Sequence, residues 1–417
     1  MSKPEPACVH NIPAIMNSDN PTSGISRRSA LTRLSAVAVS ATVFPLDLWP
    51  RSARSPQNRD EDFERILRLA SVPSVSYAIV DGDKITTRSL GVRRAGEAER
   101  ATPDTVYAAA SLTKAVFSYV FLGLVNEGLL SLDKRVSEYL PLPNPEDARA
   151  ATITARNLLS HSGGWRNWRN NTTQMLTADF EPGSRWSYSG EGFFFLQRVV
   201  EKLTGKSVPL LARERVFDPL GMKRSSMVGL AELEPFQATG HSGRGDVTQP
   251  FGRPTLLELR RMMSAKGISL ESAKVEDAEQ AIKTAEPTLP VLPNYLSPNA
   301  AGSLLTTASD FGVFMRHLVT AKRSGGKPAA IIDQMLSPQV RCNDAVQWGL
   351  GLGLEDIGAR RLLWQWGDNP GFKNFFFADP QQMRAMVVFT NGDRGARVYE
   401  RVIRAVAGDD HPAFLWS

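Results

Sequence analysis

The amino-acid sequence predicts an α+β fold, in which one antiparallel sheet combines strands from the N-terminal and C-terminal segments and helices flank it. Three observations lead to this prediction. A strand-turn-strand pattern lies near the start of the folded region, helical patterns dominate the middle, and a series of strands occupies the last third. The chain has 417 residues, of which 42% are hydrophobic, so it can bury a sizeable core.

The first elements are a helix, a hairpin and a second helix. Apolar residues at helical spacing predict a helix over residues 60–69. Residues 75–80 and 84–90 predict the two strands of a hairpin, because the Asp-Gly pair at 81–82 is a strong turn signal. A run rich in Ala, Val, Phe and Leu predicts a helix over residues 111–126.

The middle of the chain alternates loops with helices. Segment 140–172 is dense in Pro, Asn and Gly, which predicts loops. Residues 191–204 predict an amphipathic helix. Residues 253–298 have the pattern of an insertion made of helices and loops. The apolar stripe of the amphipathic helix consists of Leu196, Val199, Val200 and Leu203, and the insertion contains a basic helix over 256–265, an acidic helix over 271–284 and a Pro-rich segment at 287–293.

The last third turns from helix to strands and closes with a helix. We expect its strands to join the N-terminal hairpin in one sheet. The predicted elements are a helix over 309–320, strands over 349–355, 361–366, 372–377 and 383–390, and a helix over 396–407.

The first 53 residues have the pattern of a targeting signal. Arg27 and Arg28 precede a short apolar stretch at residues 34–48, and paired arginines at this place resemble a twin-arginine export signal. The alternative is a disordered arm followed by an ordinary helix. The signal predicts a periplasmic or secreted protein whose mature form has no stable membrane span. Residues 1–53 would be signal and linker, and residues 54–417 would form one domain that contains the insertion.

Composition excludes several classes of protein. The formal charge of +6 is spread along the chain, whereas a nucleic-acid binder needs clustered Lys and Arg, so we expect no nucleic-acid partner. The two cysteines, Cys8 and Cys342, form no CxxC motif, and no two histidines have the spacing of a metal-binding helix. We therefore expect no structural metal and no metal-dependent catalysis.

Ser111-Leu112-Thr113-Lys114 is the first motif that carries chemistry. If Ser111 opens a helix, Lys114 lies three residues further on, so the hydroxyl and the amine share a face. An amine whose pKa is lowered can take the serine proton, and the helix N-terminus favours a developing oxyanion. The alternative for this common spacing is a capped helix with a solvated lysine.

Two further segments give this motif a context. Tyr188 stands just before the predicted helix 191–204, in an aromatic and apolar setting where its hydroxyl needs a partner. Segment 365–372 places a Gly-containing break on a predicted inner strand, where the backbone can approach a ligand closely. Together the three segments offer a hydroxyl, an amine, a phenol and an accessible strand.

With these segments in this order, the chain resembles the serine β-lactamase and penicillin-binding protein superfamily, in the branch of class C β-lactamases, DD-peptidases and related esterases. That family has Ser-x-x-Lys, then Tyr-x-Asn, then Lys/His-x-Gly. Flanking segments at 105–111, 153–164, 216–222 and 300–310 also resemble it. The resemblance covers about residues 60–405 in collinear order and implies a β-lactamase/transpeptidase-like fold.

The resemblance implies a role for each matching residue. Ser111 would be the nucleophile that forms an acyl-enzyme, Lys114 its activating partner, and Tyr188 the hydroxyl that relays the proton. Which of Lys114 and Tyr188 is the base in acylation stays open. The oxyanion hole would consist of the backbone N–H groups of Ser111 and of Asp368, the residue after Gly367.

Two positions depart from the family pattern. Gly190 stands where the family has Asn, which removes a side-chain amide. Gln365 stands where the family has Lys or His, which removes a cation able to pair with a substrate carboxylate. Both changes lower the expectation of efficient β-lactamase or DD-peptidase action, whereas hydrolysis of esters or small amides stays reasonable.

The leading hypothesis is therefore an exported serine hydrolase that acts on small esters or amides through an acyl-serine and needs no cofactor. One alternative is a true β-lactamase or DD-peptidase, with a β-lactam as a possible substrate. Another is a catalytically weak relative that binds a ligand. We interpret His161 as structural, and Trp165 and Trp168 as residues that either line a substrate rim or stack within a loop.

Overall fold

The fold is described from a computed structural model. The described residues are 56–169, 174–248, 253–288, 298–408 and 410–416. The predicted signal at residues 1–53 lies outside them, as does most of the Pro-rich segment.

Helices occupy the N-terminal edge, the middle and the C-terminal end of the described chain. Most of the longer ones are amphipathic and bury one face, whereas α2 is apolar and buried over most of its surface. The helices are α1 (Pro56–Ala70), α2 (Thr113–Asn126), α3 (Ala155–Leu159), α4 (Gly190–Thr204), α5 (Val208–Ala212), α6 (Asp218–Leu220), α7 (Arg253–Ala265), α8 (Val275–Ala285), α9 (Ala308–Ser324), α10 (Gly326–Met335), α11 (Gly395–Ala407) and α12 (Ala413–Trp416).

The strands form one large antiparallel sheet and one small one. The eight-stranded sheet has the order β2-β1-β10-β9-β8-β7-β6-β5, so the N-terminal hairpin pairs with the C-terminal meander as the sequence predicts. Strands β3 and β4 form a separate two-stranded sheet. The strands are β1 (Ser74–Asp81), β2 (Lys84–Gly91), β3 (Tyr107–Ala108), β4 (Leu305–Thr306), β5 (Val340–Arg341), β6 (Val346–Trp348), β7 (Gly353–Ile357), β8 (Arg360–Asn369), β9 (Phe372–Asp379) and β10 (Arg384–Thr390).

The large sheet separates two apolar cores. Side chains alternate between its faces along each strand, so that Phe376 of β9 and Val387 of β10 belong to the core shared with α2, α4 and α9. Phe375 and Val388, the neighbouring residues, belong to the core on the other face, under α1, α11 and the C-terminal residues. Both faces are covered by helices, as the α+β prediction requires.

Most predicted elements are present, with several differences. Residues 140–172 are not all loop, because α3 begins at a capping box in which Thr154 and Asn157 satisfy each other's backbone N–H groups. Helix α10 was not predicted. Leu203 is exposed rather than part of the buried stripe of α4. The strand predicted over 349–355 begins only at Gly353, because residues 349–352 form the turn between β6 and β7.

The segment 253–288 packs largely on itself. Helices α7 and α8 contact each other and share a small core of Leu259, Met263, Ala273 and Ala281. Buried Glu201 of α4 ties this segment to the main body by accepting the backbone N–H of Val275 at 3.0 Å. Within the described part of the chain, we find no helix with the length and apolarity needed to cross a membrane.

Candidate active site

Ser111 lies at the junction between the helical region and the sheet. It sits in a single 3₁₀ turn, Ala110–Leu112, that leads into α2. Ala110 has φ +52°, a left-handed conformation that is strained for a residue with a Cβ. The turn is held in place because the Ala109 N–H donates to Leu304 O at 2.8 Å and the Asn374 side chain donates to Ala108 O at 2.9 Å. The Ser111 hydroxyl is thereby fixed against the inner strands.

Lys114 lies in the first turn of α2, three residues after Ser111, and is almost fully buried, with 1% of its surface exposed. Its Nζ donates to Ser111 Oγ at 3.1 Å and to Ala301 O at 2.8 Å. Burial holds the pKa of Lys114 well below its ordinary value. The Lys114 Nζ atom lies over the rings of Tyr188 and Phe193, 4.8 and 5.3 Å from their centres, and not next to a carboxylate. The environment therefore favours the neutral amine.

Tyr188 approaches the same hydroxyl from the other side. Tyr188 lies just before α4, whose first turn is capped by Ser189. The Tyr188 hydroxyl donates to Ser111 Oγ at 2.8 Å. Burial raises the pKa of Tyr188, and the nearby Asp368 carboxylate raises it further, while hydrogen bonds with Ser111 and Gln365 act in the opposite direction. Tyr188 is therefore a neutral hydroxyl at ordinary pH.

His161 supports Tyr188 from behind. Its ring lies 4.3 Å from the Tyr188 ring, centre to centre, and is fully buried. The Nδ1 atom accepts the backbone N–H of Ser189 at 3.1 Å, so the neutral ring carries its proton on Nε2. Burial, and to a lesser extent Lys114, hold the pKa of His161 well below its ordinary value. His161 contacts the phenol ring and not the Ser111 hydroxyl.

The edge of β8 faces Ser111. Asn369 and Phe372 flank a two-residue turn and form the hydrogen-bonded pair next to it. Because hydrogen-bonded and non-hydrogen-bonded pairs alternate along an antiparallel ladder, the next residue, Asp368, directs its N–H away from β9. Strand β7 pairs with β8 only as far as Trp364, which leaves this edge of β8 open. No break occurs at Gly367, which stays in the strand. A Cβ there would lie 2.5 Å from Ala109 O, so glycine permits the close approach of β8 to the Ser111 turn.

The two positions that depart from the family pattern do not reach the cleft surface. Gln365 is fully buried, and its amide donates to Trp366 O at 3.0 Å. Gly190 is covered by the Trp168 indole, since a Cβ on Gly190 would lie 2.1 Å from Trp168 Cζ2. The cleft next to these two positions is lined by Trp168, which covers Gly190, and by Trp366 and Asp368, which follow Gln365 on β8.

The lining of the cleft also includes a lysine that the sequence analysis did not single out. Lys373 of β9 lines the cleft and forms ion pairs with Asp368, its partner across the hairpin, and with Asp393 at 3.4 Å. Its only sequence signal is its place shortly after the β8–β9 turn, since the resemblance to the family directs attention to position 365, where the family has its cation. Two carboxylates around one ammonium give this wall a net negative charge.

The cleft that contains these groups has a volume of about 560 Å³. Ser111, Lys114 and Tyr188 form its floor. Its rim is formed by Trp168, Trp366, Asp368, Lys373 and Asp393. No residue of the described segment 253–288 lines it. Among the described residues we also find no cluster of His, Cys, Asp and Glu side chains that could hold a metal ion.

Chemically, the arrangement offers a hydroxyl between an amine and a phenol, next to an open strand edge. The Ser111 oxygen accepts hydrogen bonds from Lys114 and Tyr188. The backbone N–H of Asp368 points away from β9, toward the open edge of β8 that faces Ser111. Such a set can activate a nucleophile and bind an oxyanion.

Comparison with known proteins supports this chemistry. The family model described as Beta-lactamase matches residues 60–409. The chain is 32% identical over 199 residues to penicillin-binding protein 4 of Amycolatopsis lactamdurans, covering 44% of this chain and 52% of that protein. It is 29% identical over 243 residues to esterase EstB of Burkholderia gladioli, covering 51% of this chain and 60% of EstB. The chain thus spans about half the length of these curated relatives.

Solved structures share the fold. The octameric penicillin-binding protein homologue from Pyrococcus abyssi superposes with a TM-score of 0.66 at 18% identity, covering 85% of this chain and 78% of that one. At this identity the likeness establishes the β-lactamase/transpeptidase-like fold alone.

Proposed function

The chain belongs to the beta-lactamase family, and from this premise we propose that it is a serine hydrolase that cleaves small, uncharged esters or amides through an acyl-enzyme on Ser111. One observation carries the proposal. Ser111 Oγ lies 3.1 Å from a buried lysine amine and 2.8 Å from a tyrosine hydroxyl. A chain that only binds a ligand has no need for all three groups in contact.

In acylation, Lys114 is the base. The lowered pKa of Lys114 favours the neutral amine, whose lone pair can take the Ser111 proton across the 3.1 Å contact, whereas the raised pKa of Tyr188 favours the protonated phenol still further. Ser111 Oγ attacks the carbonyl carbon while its proton passes to Lys114 Nζ. The carbonyl oxygen becomes an oxyanion that the backbone N–H groups of Ser111 and Asp368 stabilise, and removal of one such donor typically costs about 3 kcal/mol.

Tyr188 completes the proton path. As the tetrahedral intermediate collapses, the bond to the leaving group breaks and the Tyr188 hydroxyl gives its proton to the departing oxygen or nitrogen. The proton that Lys114 received then restores Tyr188. In deacylation a water molecule attacks the acyl carbon, its proton passes to the same pair of residues, and Ser111 leaves with its proton restored.

The charges of the rim favour uncharged substrates. Lys373 is already paired with Asp368 and Asp393, so a substrate carboxylate would have to compete with two protein carboxylates for one ammonium. Gln365 adds only a buried neutral amide. The name of the relative EstB supports an ester as the substrate.

A second candidate, a true β-lactamase or DD-peptidase, is favoured by Lys373. This lysine lines the cleft and could receive a carboxylate if one of its acidic partners moved away. The experiment is a panel of p-nitrophenyl esters, a chromogenic cephalosporin and D-alanyl peptides, with Ser111→Ala as the blank. We expect the highest kcat/KM on an ester. A cephalosporin hydrolysed faster than every ester would establish the second candidate instead.

We further propose that the protein is exported by a twin-arginine-type signal. The support is the Arg27-Arg28 pair before an apolar stretch. A receptor reads such a signal, so changing both arginines to lysine should retain the precursor in the cytoplasm. Normal export of the lysine form would point to a general secretory signal.

A further inference from the structure

Trp168 occupies the space that a side chain at position 190 would need. A Cβ on Gly190 would lie 2.1 Å from Cζ2 and 2.3 Å from Cε2 of the indole. Every other residue type at position 190 therefore requires Trp168 to move. The indole of Trp168 thus fills the space left by the missing side chain of Gly190, 22 residues further along the sequence.

The indole is held in place by contacts of both neighbouring residues. Asn167 accepts the backbone N–H of Gly190 on its side-chain oxygen at 2.8 Å and that of Glu191 on its backbone oxygen at 2.9 Å. Arg169 forms a buried ion pair with Glu191, with Nε to Oε1 at 2.9 Å. Breaking such a pair would leave an uncompensated buried charge, which makes the contact costly to lose. The loop is therefore anchored to the N-terminus of α4 by Asn167 before Trp168 and by Arg169 after it.

The remaining surface of the indole faces the cleft. Trp168 packs partly against the apolar core and lines the cavity that contains Ser111. Trp366 lines the same cavity and packs on Tyr188, with ring centres 5.0 Å apart. Two indoles thus border the reactive hydroxyl, and the Trp168 side of the rim carries an uncharged, flat, apolar surface.

We propose that Trp168 is a specificity-determining residue that makes the cleft select esters carrying a flat, apolar group, such as an aryl ring on the acyl or on the alcohol part. This inference rests on the proposed function. A flat ring gains contact area and a stacking interaction on an indole, whereas a carboxylate or a small alkyl group does not. Gly190 makes this possible because its missing side chain lets the indole stay in place.

The test compares substrates in matched pairs on wild type and Trp168→Ala. One pair, p-nitrophenyl phenylacetate against p-nitrophenyl acetate, varies the acyl part. The other, benzyl acetate against butyl acetate, varies the alcohol. We expect Trp168→Ala to lower the aromatic-to-alkyl ratio of kcat/KM about tenfold in the pair whose ring meets Trp168, and Trp168→Phe to keep that ratio within about threefold. The affected pair identifies which part of the substrate contacts the indole.

Ratios that stay unchanged in both pairs would overturn the proposal, as would an equal loss on all four esters. Absence of ester hydrolysis by the wild type would instead overturn the proposed function.

The pairing with Gly190 has its own test. Gly190→Ala should lower Tm in the wild type and much less in the Trp168→Ala background. Gly192→Ala is the matched control, because its Cβ would meet Leu158 at 3.2 Å and not the indole, so its effect should be the same in both backgrounds. Equal effects of Gly190→Ala in both backgrounds would contradict the pairing.

Discussion

The floor and the rim of the cleft are built differently. On the floor, Ser111, Lys114 and Tyr188 are in mutual contact, and burial lowers the pKa of the lysine and raises that of the tyrosine, which favours the neutral form of each. On the rim, two apolar indoles and a cluster of charged groups remain partly exposed to solvent. In the proposed function, bond cleavage depends on the floor and substrate choice on the rim. Floor substitutions should therefore slow every substrate, with differences set only by the leaving group, whereas rim substitutions should change the ratios between substrates that differ in charge or shape.

Lys114→Met should produce the largest effect on turnover among the residues around Ser111. Loss of the base should lower kcat/KM by about 10³- to 10⁴-fold for every ester, because a positioned base contributes up to about that factor. Steady-state kinetics on a neutral alkyl and a neutral aryl ester check this. A loss confined to one of the two esters would contradict the assignment of Lys114 to the floor.

The same variant should change how stability depends on pH. The folded pKa of Lys114 is lowered, and its ordinary value is 10.5, so the unfolded chain binds more protons between these two values. The unfolding free energy of the wild type should therefore rise as pH increases across that window, and at neutral pH Lys114→Met should be more stable. Urea unfolding at several pH values measures this. An identical pH dependence in both proteins would contradict a buried, neutral lysine.

Tyr188→Phe should cost about 10²-fold and should discriminate between leaving groups. An alkoxide needs a proton from Tyr188 as it departs, whereas p-nitrophenolate leaves without one. Ethyl esters should therefore lose more activity than p-nitrophenyl esters with the same acyl group. Equal losses would indicate that Tyr188 acts on Ser111 and not on the leaving group.

Asp368→Asn should have the smallest effect, and it should appear as a ratio. The substitution keeps the backbone N–H and frees Lys373 from one of its two carboxylates. The kcat/KM ratio of a cephalosporin to a neutral ester should rise about three- to tenfold, since a charge-assisted contact becomes available. The added substitution Lys373→Met should abolish the gain. A gain that persists without Lys373 would rule out this lysine as the carboxylate partner.

The floor was more predictable from sequence than the rim because its key spacing is local. Ser111 and Lys114 are three residues apart on one helix, and that geometry follows from helical periodicity alone. The place of Tyr188 beside Ser111 and Lys114 was predictable only through the resemblance to a family. The Trp168–Gly190 contact is tertiary and has no periodic signal. Lys373 reaches the cleft through the register of the β8–β9 hairpin, which pairs it with Asp368.

The fold shows the same dependence on local signals. The hairpin β1–β2 was predictable from the turn at Asp81-Gly82 and alternating strands, and the closing helix α11 from its amphipathic pattern. Helix α10 begins at the second of two consecutive glycines, Gly325 and Gly326, and carries Pro328 in its first turn, and these residues are signals of a loop. Helix α3 has five residues, too few for periodicity to show.

The most direct test of the account is to locate the covalent bond on Ser111. The intact wild type is treated with a fluorophosphonate, digested and sequenced by mass spectrometry, with Ser111→Ala as the parallel sample. We predict one phosphonate adduct, on Ser111, a complete loss of ester hydrolysis on labelling, and no adduct on a correctly folded Ser111→Ala protein. An adduct on another residue together with ester hydrolysis that survives in Ser111→Ala would contradict the account.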